Sequence, residues 1–435
     1  MGYTEIVNLA CSVIGTILSV IAIHFVIFAI VGVFKKKRYP VSERKLKYGV
    51  VIPTRNEEAV IGNLIESIRK NNYPQENIQI FVIAHNCTDD TAKIARELGE
   101  TVYEYNNSNE CTKGYALRYA FDRIKEDYGI ENYSGFLILD ADNILTGDYI
   151  SKMNDAFVAC GEKSTITSYR HSKNFGENPL SACYGLFWLR GCVFESRGRS
   201  LLDCSSRVPG TGFLISNHVV RDGWKYVTLT EDWEFSADRI IEGEKIYYCD
   251  DAIFYDEQPT TTKIMWRQRI RWAKGHLLVF GTRLKDLIRS LIKPKSKGGA
   301  RFKGSVYDIM INVLPTTLIT LVIDTVKLVL YMFSPLFGEN LKDVMLGWAQ
   351  GFGMSLLSSF ATSAILAIFI YILESKRIKG VSFMTRLLSI LLYPVFTMAN
   401  YICVVVALFS KNLKWKTIPH VNRTRIEDIQ TEKND

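Results

Sequence analysis

The 435-residue sequence predicts an α/β domain with a mixed, mostly parallel sheet, flanked by transmembrane helices at both ends of the chain. Three observations lead there. Residues Ile6 to Phe34 are apolar almost throughout and end in Lys35-Lys36-Lys37-Arg38. From Lys47 to about Arg289, short β-branched runs alternate with helical patterns, which calls for a sheet covered on both faces. Beyond Ser305, three long apolar stretches return, at about 305–333, 347–373 and 383–409.

The first run exceeds the ~20 residues needed to span a bilayer and outlasts the apolar core of a signal peptide. No small-residue cleavage site follows it, so it reads as an uncleaved anchor. The basic end places the cytoplasm after Arg38 and leaves the short N-terminus outside. The formal net charge of +8 suits an anionic partner. Its basic residues cluster beside apolar runs ("FKKKRYP", "LIKPKSKGGARFKG", "ESKRIKG", "KNLKWKT"), which favours membrane lipids. No zinc finger or other nucleic-acid module is present, so nucleic acid is not the expected partner. Nine cysteines without a CxxC pair suit packed, reduced thiols.

Within the α/β region, "YGVVIPT", "IQIFVIA" and "GFLILDAD" read as strands, and "EEAVIGNLIESIRK", "TDDTAKIARELG" and "KGYALRYAFDRIKED" as helices. Ligands bind at the carboxyl ends of such strands, so the loops there carry the chemistry. The expected organisation is an anchor at 1–38, a cytoplasmic domain at 47–289, a basic interfacial linker at 290–304, membrane and interfacial helices at 305–410, and a loose polar tail at 411–435. Pro394 is the expected point of division between an interfacial piece and a true span. Asp324 and Lys327, three residues apart, read equally as an intramembrane functional pair and as a self-neutralising pair near an interface.

Asp140 and Asp142 close an apolar strand with one residue between them. In extended backbone both carboxylates face the same way and can hold one hard cation, Mg²⁺ or Mn²⁺; turn chemistry is the plainer alternative. Glu231 and Asp232 precede a helical pattern and offer a carboxylate as general base, while Thr230 and Asp232 are also ordinary N-cap residues. Pro53, Thr54, Asn56 and Glu57 lie between a strand and a helix, where free amides take anionic or polar groups. Lys113 opens another helix before Gly114, and Gly210-Thr211-Gly212 allows close backbone approach or a simple turn. In "MWRQRIRWAKGHLLVF", Gln268, Arg271 and Trp272 share one helical face, while Arg267, Arg269 and Lys274 read as a headgroup collar.

Taken in order, "PTRNEE", Asp140-Ala141-Asp142, Thr230-Glu231-Asp232 and Gln268-Arg269-Ile270-Arg271-Trp272 (QxxRW) resemble the membrane-embedded inverting family-2 glycosyltransferases, which include cellulose, chitin, hyaluronan and poly-N-acetylglucosamine synthases. The resemblance covers residues 48 to 280 by motif. It implies a GT-A (Rossmann-like) fold, a UDP-sugar donor and Mg²⁺ or Mn²⁺. By resemblance, Pro53, Thr54 and Glu57 border the uridine, Lys113 the base or phosphates, and Asp140 the nucleotide and metal, with Asp142 completing the metal site. Asp232, with Glu231 beside it, deprotonates the acceptor hydroxyl, and Arg271 stabilises the leaving diphosphate. Gly210, Thr211, Gly212, Gln268 and Trp272 line the acceptor side. One departure stands out: His85 occupies a loop position where an acidic residue is usual, so either His85 meets the base or ribose, or Asp89 and Asp90 compensate. The FxVTxK gating motif of bacterial cellulose synthases is absent.

The expected function is extension of a β-linked polysaccharide by glucose or N-acetylglucosamine at the cytoplasmic face of the cell membrane. The product passes through the protein's own helices, with polysaccharide-export proteins as accessory partners. The alternative is transfer of one sugar to a membrane lipid. A transporter or inert scaffold is disfavoured, because it needs none of Asp140, Asp142, Asp232, Arg271 and Trp272.

Overall fold

The computed structural model describes residues 1–293, 302–411 and 418–428. The chain opens with α1 (Tyr3–Ile21) and α2 (Ile23–Phe34), a 32-residue run that is long and apolar enough to cross a membrane. The α/β domain then runs β1 (Tyr48–Thr54), α3 (Ile61–Arg69), β2 (Ile78–His85), α4 (Thr91–Glu97), β3 (Thr101–Tyr105), α5 (Lys113–Asp127), β4 (Gly135–Ile138) and β5 (Ile144–Leu145). It continues with α6 (Tyr149–Ala159), β6 (Thr165–Ser172), α7 (Pro179–Arg190), α8 (Arg197–Leu201), β7 (Phe213–Ser216), α9 (Asn217–Val220), α10 (Glu231–Ile241) and β8 (Ile246–Asp256).

The sheet has eight strands in the order β3-β2-β1-β4-β7-β6-β8-β5. β1 pairs in parallel with both β2 and β4, and β2 with β3, whereas β7 runs antiparallel between β4 and β6. Val50, Val51 and Ile52 of β1 are fully buried, because helices cover both faces. On one face, Ile61, Leu64, Ile65 and Ile68 of α3 pack with Met153 of α6; the spacing gives α3 a single apolar stripe. On the other, Leu117, Phe121 and Ile124 of α5 meet Phe235 of α10. Each such side chain contributes about 1.5–3 kcal/mol by leaving water. The strands β1, β2 and β4 therefore deliver their carboxyl ends together to one edge of the domain.

After the sheet, α11 (Thr262–Ile292) runs along the domain, followed by α12 (Phe302–Val313), α13 (Thr316–Tyr331), α14 (Leu341–Leu373) and α15 (Phe383–Phe409). α14 and α15 are each long and apolar enough to cross a membrane, and α12 with α13 forms a pair bent by 54° that passes the same test together. Buried ion pairs tie these helices to the sheet. Arg197 bonds Asp250 of β8 at 2.6 Å and Glu374 after α14 at 2.7 Å, and Arg377 reaches Asp250 at 3.0 Å. Arg199 of α8 bonds Asp308 of α12 at 2.7 Å, and His24 of α2 meets the same carboxylate at 3.1 Å.

Two sequence-based expectations are corrected here. Pro394 does not divide its segment: α15 is one helix from Phe383 to Phe409. Pro394 is buried there, and its neighbours Tyr393 and Phe396 pack with α7, so tertiary contacts carry the helix through. The break falls instead at Leu314-Pro315, between α12 and α13, where proline meets the end of a helix. The polar tail is not loose over 418–428. Ile426 is buried against Ile144 and Tyr255, and Asn63 donates to the Arg423 carbonyl at 3.1 Å. Much of the expected linker, 294–301, lies outside the described residues.

Candidate active site

The carboxyl ends of β1, β2 and β4 gather most of the residues that the sequence singles out. Thr54 closes β1 buried, its hydroxyl donating to the Ile83 carbonyl at 3.0 Å, with Pro53 half-buried beside it. The loop after β1 is stitched to the loop after β2. Asn56 Oδ1 accepts from Thr88 N at 2.8 Å, and Asp89 accepts from both Glu58 N and the Thr91 hydroxyl. His85 is buried and directs Nε2–H to the Glu110 carbonyl at 2.6 Å, stacked on Tyr105. Burial holds its pKa below the ordinary value. In this arrangement His85 braces the loop before α5.

β4 ends at Ile138, and Asp140 to Asn143 form a turn closed by Asn143 N to Asp140 O at 3.0 Å. The expected extended Asp140-Ala141-Asp142 is corrected accordingly. Asn143 reshapes the backbone, its side-chain oxygen accepting from Asp140 N at 3.2 Å and from the Thr211 hydroxyl at 2.6 Å. Asp142 is buried, with Oδ2 accepting from Glu257 N at 2.8 Å. Burial alone would raise its pKa, but the charges of His420 and Lys173 hold it below the usual carboxylate range.

Lys113, at the start of α5, joins two parts of the site. Its ammonium is ion-paired with Asp140 and donates to the Gly210 carbonyl at 2.7 Å. Gly210 adopts φ +90°, a left-handed conformation open to glycine, and a methyl group there would stand 3.5 Å from Asp232 Oδ2. Gly210 thus lies between the Lys113–Asp140 pair and Asp232. Thr230 makes no capping bond and its hydroxyl has no partner among the described residues, so helix capping does not account for it. Burial and the adjacent Asp232 charge push Glu231 up to about 7. Burial also raises Asp232, against the Trp233 N–H and the charges of Arg271 and Lys113.

α11 closes this edge. Gly275 lets the helix approach Thr230 so closely that a Cβ would fall 2.2 Å from Thr230 Cγ2. Arg271 donates to the Leu229 carbonyl at 2.7 Å, holding the strand of chain that leads into Glu231 and Asp232. Trp272 is half-buried in an aromatic cluster with Phe187 and Trp188, at centroid distances of 6.2 Å and 5.6 Å. Gln268 Oε1 is buried without a partner among the described residues. Arg269 is not part of a headgroup collar. Only 6% exposed, it donates to the Phe396 carbonyl of α15 and lies 4.3 Å from the Phe396 ring centroid.

Sequence reasoning missed three contributors. Arg170 of β6 pairs with Asp256, donates to the Pro209 carbonyl at 2.8 Å and lies 3.5 Å from the Trp188 ring centroid. Burial, opposed by Arg170 and aided by the Asp142 charge, pushes Asp256 up to about 6. The acidic pair in "YDEQP" at a strand end was the available signal. The third is His420 of the tail, whose Nδ1 lies 2.9 Å from both Glu57 oxygens. Glu57 therefore faces the tail as well as the strand ends, and burial pushes it up to about 7.

The donor set fits a hard divalent cation only in part. Asp140 and Asp142 offer carboxylate oxygens within one turn, in a region whose negative charge helps raise both Glu57 and Asp256. No cluster of three or more His, Cys, Asp or Glu completes a cage among the described residues, so a cation held by Asp140 and Asp142 would need other oxygen donors.

With this geometry established, comparison with known proteins decides the class. The description "Glycosyltransferase like family 2" matches residues 46–275. The chain belongs to that family. The probable glycosyltransferase YdaM of Bacillus subtilis (strain 168) is 27% identical over 242 residues, 54% of this chain and 56% of its own. The poly-beta-1,6-N-acetyl-D-glucosamine synthase of Staphylococcus epidermidis is 24% identical over 231 residues, 51% of this chain and 52% of its own. The beta-monoglucosyldiacylglycerol synthase of Nostoc sp. (strain PCC 7120 / SAG 25.82 / UTEX 2576) is 24% identical over 246 residues, 52% of this chain and 48% of its own. The chain thus spans about half the length of these curated relatives. The solved structure of the mannosyltransferase PcManGT from Pyrobaculum calidifontis, in complex with GDP-Man and Mn²⁺, covers 94% of this glycosyltransferase and 100% of its own chain, at TM-score 0.58 and 14% identity. That likeness is one of fold, and the sheet is that of a GT-A glycosyltransferase.

Proposed function

We propose that this glycosyltransferase inverts the anomeric centre of a UDP-sugar, extending a β-linked polysaccharide by glucose or N-acetylglucosamine. The observation that carries the reading is Asp232, beside Gly210 and across from the Lys113–Asp140 pair, at the carboxyl ends of the strands. In the reaction, an acceptor hydroxyl oxygen bonds to C1 of the sugar as the C1–O bond to the diphosphate breaks. Asp232 takes the hydroxyl proton, and its raised pKa suits it to hold that proton. Glu231 keeps the pocket poised by its neighbouring charge. Pro53, Thr54, Glu57 and His85 frame the nucleoside, and Lys113 and Arg271 offset charge growing on the leaving diphosphate. Gly210, Thr211, Gly212, Gln268 and Trp272 border the acceptor. Asp140 and Asp142 would hold Mg²⁺ or Mn²⁺, which supplies Lewis-acid stabilisation of the diphosphate.

The polymer reading gains support from a cavity of about 1330 Å³ among α1, α13, α14 and α15, which Trp266 of α11 also lines. Its lining mixes Trp348, Tyr401 and Asn8 with Asp324 and Lys327, a polar and aromatic mixture suited to sugar rings. In this reading residues 1–38 anchor the chain, 47–289 form the catalytic domain on the cytoplasmic side, and 305–410 carry the growing glycan across. Transfer of a single sugar to a membrane lipid is the second reading, favoured by the similarity to a beta-monoglucosyldiacylglycerol synthase. The deciding experiment supplies purified full-length protein in lipid with labelled UDP-sugars and GDP-mannose. A long water-soluble glycan is expected; one labelled sugar extracted into organic solvent supports the lipid acceptor, and no transfer from any donor overturns both.

A further inference from the structure

The acids at the strand ends are matched almost one for one by cations of the chain. Asp140 is ion-paired with Lys113, Asp256 with Arg170, and Glu57 with His420 at 2.9 Å, while Lys173 lies 3.5 Å from Glu257. Asp142 makes no ion pair among the described residues; its oxygens accept from Glu257 N at 2.8 Å and Asn143 Nδ2 at 3.2 Å. Three of these cations stand on the folded domain, since Lys113 opens α5, Arg170 lies in β6 and Lys173 follows that strand. His420 comes instead from the tail beyond α15.

The tail also reaches Asp142 through a shared neighbour. Val421 N and Asn422 N donate to the two carboxylate oxygens of Glu257 at 3.1 Å and 3.0 Å, and the backbone N–H of the same Glu257 is the one that Asp142 Oδ2 accepts. Burial works to raise Asp142, and among the charges that hold it below the ordinary carboxylate range His420 is the largest. Burial likewise favours a neutral His420, but the charges of Asp142, Glu57 and Glu257 keep it protonated. The sum of these charges sets a sign. A divalent cation brings positive charge to the same acids, and it gains less where the His420 imidazolium already stands, because the two repel in a partly buried region. Linkage makes the effect mutual, so the cation loosens the tail by the factor by which the tail weakens the cation.

Resting on the cation role given above to Asp140 and Asp142, we propose that the docked tail and a divalent cation at that pair weaken one another's binding, with His420 as the chain's own counter-charge. His420 is a positioning residue in this account, because it touches Glu57 and not the reacting atoms. Glu257 completes the link, holding the tail with its carboxylate and Asp142 with its backbone N–H.

The test uses the full-length protein in detergent at fixed pH, with Mn²⁺ alone as the probe. Free Mn²⁺ is titrated by its paramagnetic resonance signal, and amide exchange is followed over residues 418–428. Saturating Mn²⁺ should speed exchange of the tail in the wild type about tenfold, a factor within the usual range of coupling between sites. H420Q keeps a hydrogen-bonding side chain and removes the charge, so it should bind Mn²⁺ about tenfold more tightly. D140N should lose both the binding and the effect on the tail. No binding to wild type or H420Q overturns the cation role itself, and this proposal with it. Binding that D140N abolishes but that is equal in wild type and H420Q, or tail exchange unmoved by saturating Mn²⁺, overturns the proposal alone.

Discussion

His420 Nδ1 lies 2.9 Å from both carboxylate oxygens of Glu57, joining the tail to the first strand-end loop. Burial alone would lower the His420 pKa, but Asp142, Glu57 and Glu257 raise it to about 10. Glu57 is itself pushed up to about 7, chiefly by burial. Both folded values exceed the ordinary ones, so the docked contact holds protons. Its contribution is present at low pH and is lost as pH rises, first through about 7 and then through about 10. Tryptic cleavage after Arg423 and Arg425, corrected for the intrinsic rate, should accelerate between pH 7 and pH 10, and H420A should cleave at the fast rate already at pH 7. Equal protection of H420A would show that His420 does not hold the tail.

Glu231 and Asp232 make a second pH prediction. A general base works deprotonated, so kcat/KM should rise with pH along a limb above the ordinary carboxylate range, because burial raises Asp232. E231Q removes the neighbouring negative charge and should move that limb to lower pH. A limb that stays in place would separate Glu231 from the titrating group.

The close passage of α11 over Thr230 gives a packing prediction. In G275A the new methyl group must displace Thr230, from which it would stand 2.2 Å away. Overpacking of this kind costs about 1–3 kcal/mol. The thermal midpoint should fall, and transfer should fall with it because Thr230 leads directly into Glu231. An unchanged midpoint would mean that the loop has room to yield.

Much of this site was legible because its signals are local. The apolar runs of β1, β2 and β4 announced both the sheet and the edge where Thr54, Asp140 and Lys113 meet, and the 3.6-residue period separated Arg271 from Arg269. What the pattern hid depended on distant partners. Asn143 folds Asp140 to Asp142 into a turn through Thr211, a residue on another loop. Arg269 looks like a headgroup ligand until α15 is brought against it. His420 reaches Glu57 across 363 residues of sequence, from a polar segment with no periodicity to mark it.

Arg269 and Arg271, two residues apart, should fail differently. R269A leaves the Phe396 carbonyl of α15 without its buried donor, a loss of about 1–3 kcal/mol that lowers the thermal midpoint. R271A should instead cut transfer by about a hundredfold, the scale of losing one electrostatic stabiliser. Thermal unfolding and kcat on the same preparations separate them; equal effects on both measures would contradict the division.

The central claim is that Asp232 takes the acceptor proton, and single-turnover transfer from the preferred labelled nucleotide sugar measures it most directly. D232N keeps the side-chain shape and removes the base. The rate should fall by about 10²–10⁴-fold while nucleotide affinity stays unchanged. Transfer by D232N at the wild-type rate would contradict the account.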